Sequence, residues 1–370
     1  LDATDQMTVS IVVPAYKEAE NLPQLMEEIA SAMAPTGWTW EVIVVDDNSR
    51  DGTPTVLKTI ALKYPQFQYM IRRHERGLSS AVLAGFGRAC GTVLVVMDAD
   101  LSHPPVAIAD MVRPLLNDKA DFMVGSRYVS GGGTQDDWGI FRKLNSAVAT
   151  ALGRPFAGKV RDPMAGFVAL RRETYLAADE LNPIGYKIGL ELMVKCRVKR
   201  VMETPIFFRN RLHGKSKLTL QEQLRYLEHL SRLYDYKFRR GSPHVKFLIA
   251  ALSSTGVGYW VAMAIRAAGA HRLDSVAVGL LAMLLVVGLF FGRYVGTQRR
   301  KIANSHPWEA FLIICGAEFL LGIWWAWFFA QRWLFSDLML ACLGICVLAR
   351  YLLRKLMGQD VGGLHRSLSE

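Results

Sequence analysis

Two carboxylates, Asp98 and Asp100, stand two residues apart at the end of the apolar run Val93-Leu94-Val95-Val96-Met97. Hard oxygen ligands in that pattern suit a divalent cation such as Mg2+ or Mn2+, with coordination sites left over for phosphate oxygens. The chemistry this points to is group transfer from a metal-bound diphosphate. An isolated D-x-D can also simply end a strand and cap the helix that begins near Pro104 and Pro105, because aspartate favours both places. Two further apolar runs end in comparable groups. TVSIVVP leads into Pro14 to Glu18, and EVIVV leads into Asp46 and Asp47. In a parallel sheet three such ends lie along one edge, where ligands of open α/β folds bind.

Positioning these groups requires alternating strands and helices, and the sequence supplies them. After the first strand, Leu22, Leu25, Met26, Ile29 and Met33 recur at helical spacing. The second strand starts at Glu41, Phe67 to Ile71 read as a third, Gly77 opens a helix, and the run ending at Asp98 is the fourth. Such alternation over roughly 120 residues marks a doubly wound α/β domain with a mostly parallel sheet. No GxGxxG follows the first strand and no GxxxxGK[ST] occurs, which excludes a dinucleotide fold of Rossmann type and a P-loop.

The chain has 370 residues and a formal net charge of +11. Its lysines and arginines concentrate between residues 187 and 246 and at the edges of later apolar runs, a placement that suits an anionic membrane surface rather than nucleic acid. Cys90, Cys196, Cys315, Cys342 and Cys346 show no metal-ligand spacing and read as reduced packing residues. LDATDQMTVS lacks the pattern of a cleavable secretory signal, so the first domain is expected in the cytoplasm. Four apolar stretches, at about 245–268, 275–294, 308–330 and 334–356, each approach the roughly 20 residues needed to span a bilayer. Basic residues at Arg239, Arg240 and Lys246, at Arg299 to Lys301, and at Arg354 and Lys355 place both termini on the cytoplasmic side. Trp308, Trp324, Trp325, Trp327 and Trp333 suit an interfacial belt, and Glu318 within a span is expected to be paired inside a helix bundle or, alternatively, to be functional. The expected domains are therefore 1–216, an amphipathic juxtamembrane region at 217–243, an all-α membrane domain at 244–358, and a tail at 359–370.

The ordered stretches PAYKEAEN, VDDNSRDGT, RGLSSAVLAG, MDADLSHPP, GSRY, DPMAGFVALRR, GYKIGLELMVK and RLHGKSKL cover nearly all of residues 8 to 220. Together they resemble the family 2 glycosyltransferases of GT-A fold, and within these the dolichol-phosphate (polyprenyl-phosphate) mannose synthases. KFLIAALSSTGVGYW and FFGRYVGTQRR resemble, more loosely, a GtrA-like four-helix membrane domain. The resemblance implies GDP-mannose as donor, a polyprenyl or dolichyl phosphate as acceptor, and Mg2+ or Mn2+ as cofactor. It implies that Pro14, Ala15, Tyr16, Glu18, Val45, Asp46, Asp98 and Ala99 bind the nucleotide. Asp98, Asp100 and Ser102 become the metal candidates, with Ser102 standing where many relatives carry glutamine. Arg127, Arg142, Ser146, Arg211 and Lys217 become the acceptor-phosphate candidates, and Asp100 with Arg127, Arg142 and Arg211 the catalytic set. RGLSSA lacks a third glycine common in relatives, and AGF stands where SGF or TGF is frequent.

A phosphomonoester acceptor, with its second pKa at about 6, is already largely dianionic at neutral pH and needs cations rather than a base. Arg127, Arg142, Arg211, Lys215 and Lys217 can supply them, arginine in bidentate fashion. Asp162 is the carboxylate that could serve as a base for a hydroxyl acceptor; otherwise it would orient the sugar or an arginine. Direct attack by phosphate inverts the anomeric carbon, so an α-linked donor gives a β-linked product. Residues 141–156 are amphipathic and could lie on the bilayer. Leu220, Leu224, Leu227, Leu230 and Tyr234 form an apolar stripe that suits a helix on the membrane surface or, alternatively, one packed on the soluble domain. Rival functions are a UDP-glucose-dependent polyprenyl-phosphate glucosyltransferase, transfer to a sugar hydroxyl, and a lipid-handling or flippase-like module. No Q-x-x-R-W follows the acceptor region, against the second. Expected partners are the nucleotide sugar, the lipid phosphate and the bilayer, with a homo-oligomer as an option and no nucleic acid.

Overall fold

The computed structural model describes residues 7–135, 140–210, 220–238, 256–258, 260–269, 278–279 and 281–282, and divides into two compact units, Leu1–Lys237 and Phe238–Glu370. Four strands of the first unit come from the apolar runs: β1 (Val9–Ala15), β2 (Trp40–Asp46), β3 (Phe67–Ile71) and β4 (Val93–Val96). With β5 (Phe122–Ser126), β7 (Val168–Arg171) and β8 (Val201–Pro205) they form one sheet of order β3-β2-β1-β4-β7-β5-β8. Only β7 runs antiparallel to its neighbours, β4 and β5. A separate parallel pair joins β6 (Gly133–Thr134) to β9 (Phe207–Phe208).

Both faces of the sheet are covered, which is why its strands are continuous Val/Ile runs. Side chains alternate between two cores. Val9, Ile11, Val13, Val42, Val44, Val93 and Val95 pack under α1 (Leu22–Met33), α2 (Thr53–Lys63) and α4 (Ile108–Leu116). Val12, Ile43, Val45, Leu94 and Val96 pack under α3 (Leu78–Arg88) and α7 (Ile188–Lys195). All five apolar positions expected on the first helix are buried. Gly85 of α3 lets that helix approach the sheet, since a Cβ there would lie 2.4 Å from Val12 Cγ1. Gly85→Ala is therefore expected to destabilise the domain by about 1–3 kcal/mol through overpacking, measurable as a lower urea midpoint.

The register aligns the strand ends. Ala15 pairs with Asp46, Asp46 with Ile71, and Val12 with Val96, so the loops after β1, β2, β3 and β4 open on one edge.

Helices α5 (Ile140–Ala157) and α8 (Leu220–Lys237) pack on this unit, while α6 (Arg172–Leu176) follows β7 directly. Tyr226, Leu230 and Leu233 of α8 join Phe156, Met164 and Leu190 in a third apolar cluster. The face that docks is rotated from the expected stripe: Leu224 and Leu227 are about half exposed, at 53% and 51%. The reason is that the docking face includes Tyr226 and His229, whose polar atoms find partners. Tyr226 Oη donates to Ala149 O at 2.8 Å, and His229 Nε2 lies 2.8 Å from Glu191 Oε2. Of the two placements open to α8, packing on the α/β domain is observed for this face.

Within the second unit, residues 260–267 are helical, and among the described residues no helix is long and apolar enough to cross a membrane. The expected spans at 308–330 and 334–356, about half of the one at 245–268 and most of the one at 275–294, the tryptophan belt, Glu318 and the tail lie outside the described residues. Cys90 and Cys196 are free thiols, and burial followed by the Glu191 charge pushes Cys196 up to about 12, as suits a packing residue.

Candidate active site

The shared edge is built by hydrogen bonds that rigidify each loop. Asp46 is fully buried and accepts from Ser49 twice, at Oδ2 from N (3.0 Å) and at Oδ1 from Oγ (2.5 Å). Ser49 Oγ in turn accepts Lys17 N at 2.8 Å, so the loops after β1 and β2 are tied together beside Tyr16. Asp47 clamps the next loop: its Oδ1 accepts Arg72 Nε at 2.7 Å and its Oδ2 accepts Gly77 N at 2.8 Å. The Arg76 guanidinium then sits 5.3 Å from the Tyr16 ring centroid. Lys17, Asn48 and Leu101 all have positive φ, at 59°, 55° and 62°. For a buried leucine that conformation is costly, and strain of this kind concentrates where function holds the backbone in place.

Leu101 lies inside the D-x-D loop. Oδ1 of Asp100 accepts both Ser102 N (3.1 Å) and Ser102 Oγ (2.5 Å), and both residues are buried. Ser102 uses its hydroxyl proton to orient Asp100, and its oxygen keeps the lone pairs a cation would need. Arg209 N donates to Ser102 O at 3.1 Å, which brings the strand end after β9 onto this loop.

On the neighbouring side of the edge, just after β5, Arg127 meets Asp162. Asp162 is fully buried and accepts Arg127 N (3.1 Å) and Nε (2.7 Å) at Oδ2 and Arg127 Nη2 (2.7 Å) at Oδ1. Burial alone would make Arg127 less basic, but these bonds outweigh it and raise its pKa above the usual arginine value. The guanidinium also lies 5.5 Å from the Phe208 ring centroid. Glu203 on β8 supports the carboxylate from behind by accepting Asp162 N and Arg161 N. Asp162 is thus bound to an arginine by three hydrogen bonds.

Lys187, at the start of α7, donates to Met164 O at 2.8 Å and feels Arg127, Asp162 and Asp98. Burial first, then the Arg127 charge, pushes its pKa down to about 8. Sequence reasoning passed over this lysine although it sits in GYKIGLELMVK; a lysine abutting an apolar helix was the available signal. Asp98, half-buried, has His103 beside it and Gly166 opposite, where a Cβ would come 3.6 Å from its carboxylate. The backbones of Arg142 and Ser146 belong to α5, whose side chains there are not described, and Arg211, Lys215 and Lys217 lie outside the described residues.

The edge thus joins Pro14 to Glu18, Asp46, Asp98, Ala99, Asp100 and Arg127, an acidic wall beside an anchored cation. Comparison with known proteins shows the family. Residues 10–176 match the model for glycosyl transferase family 2. Over 250 residues the chain is 42% identical to the dolichol-phosphate mannosyltransferase of Pyrococcus furiosus, covering 67% of this chain and 69% of that one. Over 238 residues it is 39% identical to the dolichol-phosphate mannosyltransferase of Saccharomyces cerevisiae, covering 62% and 88%. The chain belongs to the dolichol-phosphate mannosyltransferase family. It is a glycosyltransferase with a GT-A-like α/β domain. Among solved structures it is similar to glucosyl-3-phosphoglycerate synthase from Mycobacterium tuberculosis, at 21% identity over 62% of this chain and 79% of that one, with a TM-score of 0.46. The strand-end edge, with Asp100 and Arg127 as its charged groups, is the candidate active site of this family member.

Proposed function

We propose that the chain transfers mannose from GDP-mannose to a polyprenyl or dolichyl monophosphate at the cytoplasmic face of a membrane, with inversion. The observation that carries this reading is the Arg127–Asp162 pair: the best-placed carboxylate on the acceptor side is tied up by three hydrogen bonds, and what it presents is a fixed guanidinium. Such a site suits an acceptor that arrives already anionic. An acceptor phosphate oxygen bonds to the anomeric carbon as the bond to the nucleotide diphosphate breaks, so an α-linked donor yields a β-linked lipid phosphosugar. Pro14, Ala15, Tyr16, Glu18, Val45, Asp46 and Ala99 line the donor end. Arg142, Ser146, Arg211 and Lys217 complete the acceptor end in this proposal.

The donor set fits Mg2+ or Mn2+. Asp100, locked by Ser102, and Asp98 offer hard oxygens, and among the described residues no cluster of three or more His, Cys, Asp or Glu is placed to hold a metal ion. Magnesium typically takes one or two carboxylates and leaves its remaining positions to water and substrate phosphates. Asp100 and Asp98 would hold the ion, and when bound it supplies Lewis-acid neutralisation of the leaving diphosphate.

A purified preparation given GDP-[14C]mannose or UDP-[14C]glucose tests the donor: label should enter organic-extractable lipid from the first in a polyprenyl-phosphate-dependent way. Preferential labelling from UDP-glucose would make the glucosyltransferase the right reading.

Lys187 adds a pH dependence. Because its folded pKa of about 8 lies below its ordinary value of 10.5, the folded chain releases this proton first, and stability from this group rises with pH between those values. Activity should move the other way, since loss of the cation removes attraction for the anionic donor. kcat/KM for the donor is expected to fall above pH about 8, and Lys187→Arg, which stays charged, should carry that fall upward by a unit or more. An unchanged profile in the variant would remove Lys187 from donor binding.

A further inference from the structure

His103 follows the D-x-D loop and is buried, at 2% exposure, without a part in the reaction described above. Its Nδ1 accepts the backbone N–H of Asp98 at 2.9 Å, which leaves the ring proton of the neutral imidazole on Nε2. Nε2 lies 3.8 Å from Asp98 Oδ2, too far for a hydrogen bond but on the carboxylate's side. Three neighbours hold the ring. Phe167 stacks on it at 5.1 Å and 21°, Phe208 meets it edge-on at 5.5 Å and 69°, and a Cβ on Gly166 would come 3.3 Å from Cε1.

β4 ends at Val96, and Met97 N still bonds to Val12 O, but the next amide, that of Asp98, is past the sheet and needs another acceptor. His103 is that acceptor. It therefore sets where the chain leaves the strand, and with it the direction in which the Asp98 carboxylate points.

We propose that His103 is a positioning residue for Asp98, fixing the donor end of the site through its Nδ1 rather than by touching substrate. The inference rests on the reading of Asp98 as a donor-side residue. Phe208 makes it broader, because the same ring that braces His103 lies under the Arg127 guanidinium. The simpler alternative is a core aromatic that contributes stability alone.

Calorimetry of GDP binding in Mn2+ by the full-length protein, with melting followed in parallel, separates the two. His103→Phe keeps a ring for Phe167 and Phe208 but removes the acceptor; His103→Asn places an amide oxygen near Nδ1. The expected result is that His103→Phe weakens GDP binding about tenfold, the lower end of what displacing a residue behind a metal-site ligand costs. It should raise KM for the donor and leave KM for the acceptor unchanged, while His103→Asn stays within about threefold of wild type. If both variants melt lower yet bind GDP as wild type does, the positioning role is overturned. Should His103→Phe fail to fold, His103→Asn against His103→Gln carries the test, because glutamine reaches towards Nε2 instead; equal GDP affinity in these two would also overturn it. Asp98→Asn in the same assay distinguishes the failures. If Asp98→Asn leaves GDP binding unchanged, the donor reading of Asp98 falls; if only the His103 variants leave it unchanged, the positioning inference alone falls.

Discussion

Asp100→Asn is expected to lower mannosyl transfer by about 10³-fold while leaving the fold intact. Removing one preorganised group that stabilises a developing anion typically costs 10²- to 10³-fold, and Asp100 would act in this way through the cation of which it is proposed as the principal oxygen ligand. Asparagine is the informative replacement because its amide oxygen can still accept the Ser102 N–H and Oγ bonds that hold the loop. Melting should therefore change little, whereas Mn2+ affinity measured by electron paramagnetic resonance should drop together with kcat. Full activity in the variant would mean that the D-x-D loop only ends a strand.

Asp162→Asn should act by a different route. The carboxylate is fully buried and its partner Arg127 is only 12% exposed, so the substitution leaves a guanidinium without its counter-charge. Breaking one side of a buried ion pair costs about 3–5 kcal/mol, visible as a large fall in melting temperature. Combining Arg127→Met with Asp162→Asn is expected to recover much of that stability and none of the activity, because the cation for the acceptor is gone. A general base would show itself in the pH–rate profile, whose acidic limb would titrate with Asp162, and the double variant would still lack activity on a hydroxyl acceptor.

The sequence carried the first four strands and the burial of Leu22, Leu25, Met26, Ile29 and Met33, since those depend on local periodicity. It also put the strand ends on one edge, because parallel topology follows from β-α alternation. What it missed depends on contacts between distant segments. The antiparallel insertion of β7 between β4 and β5 involves only a four-residue strand, VALR, with no turn signal to reveal its partners. The Arg127–Asp162 pair spans 35 residues, and the sequence does not say which arginine, if any, Asp162 orients. The docked face of α8 escaped hydropathy because tyrosine and histidine are buried there with their polar atoms satisfied. Ser102 shows the converse. Its place beside the D-x-D pair was legible, but the use of its hydroxyl, which donates to Asp100, was not.

The central claim is that the acceptor phosphate is its own nucleophile, held by Arg127. The most direct test offers the purified protein GDP-mannose with either polyprenyl monophosphate or the corresponding free polyprenol, and determines the anomeric configuration of any product by NMR. The account predicts β-mannosyl phosphate from the monophosphate and no product from the alcohol. Mannosylation of the free alcohol at a comparable rate, or an α-linked product, would contradict it.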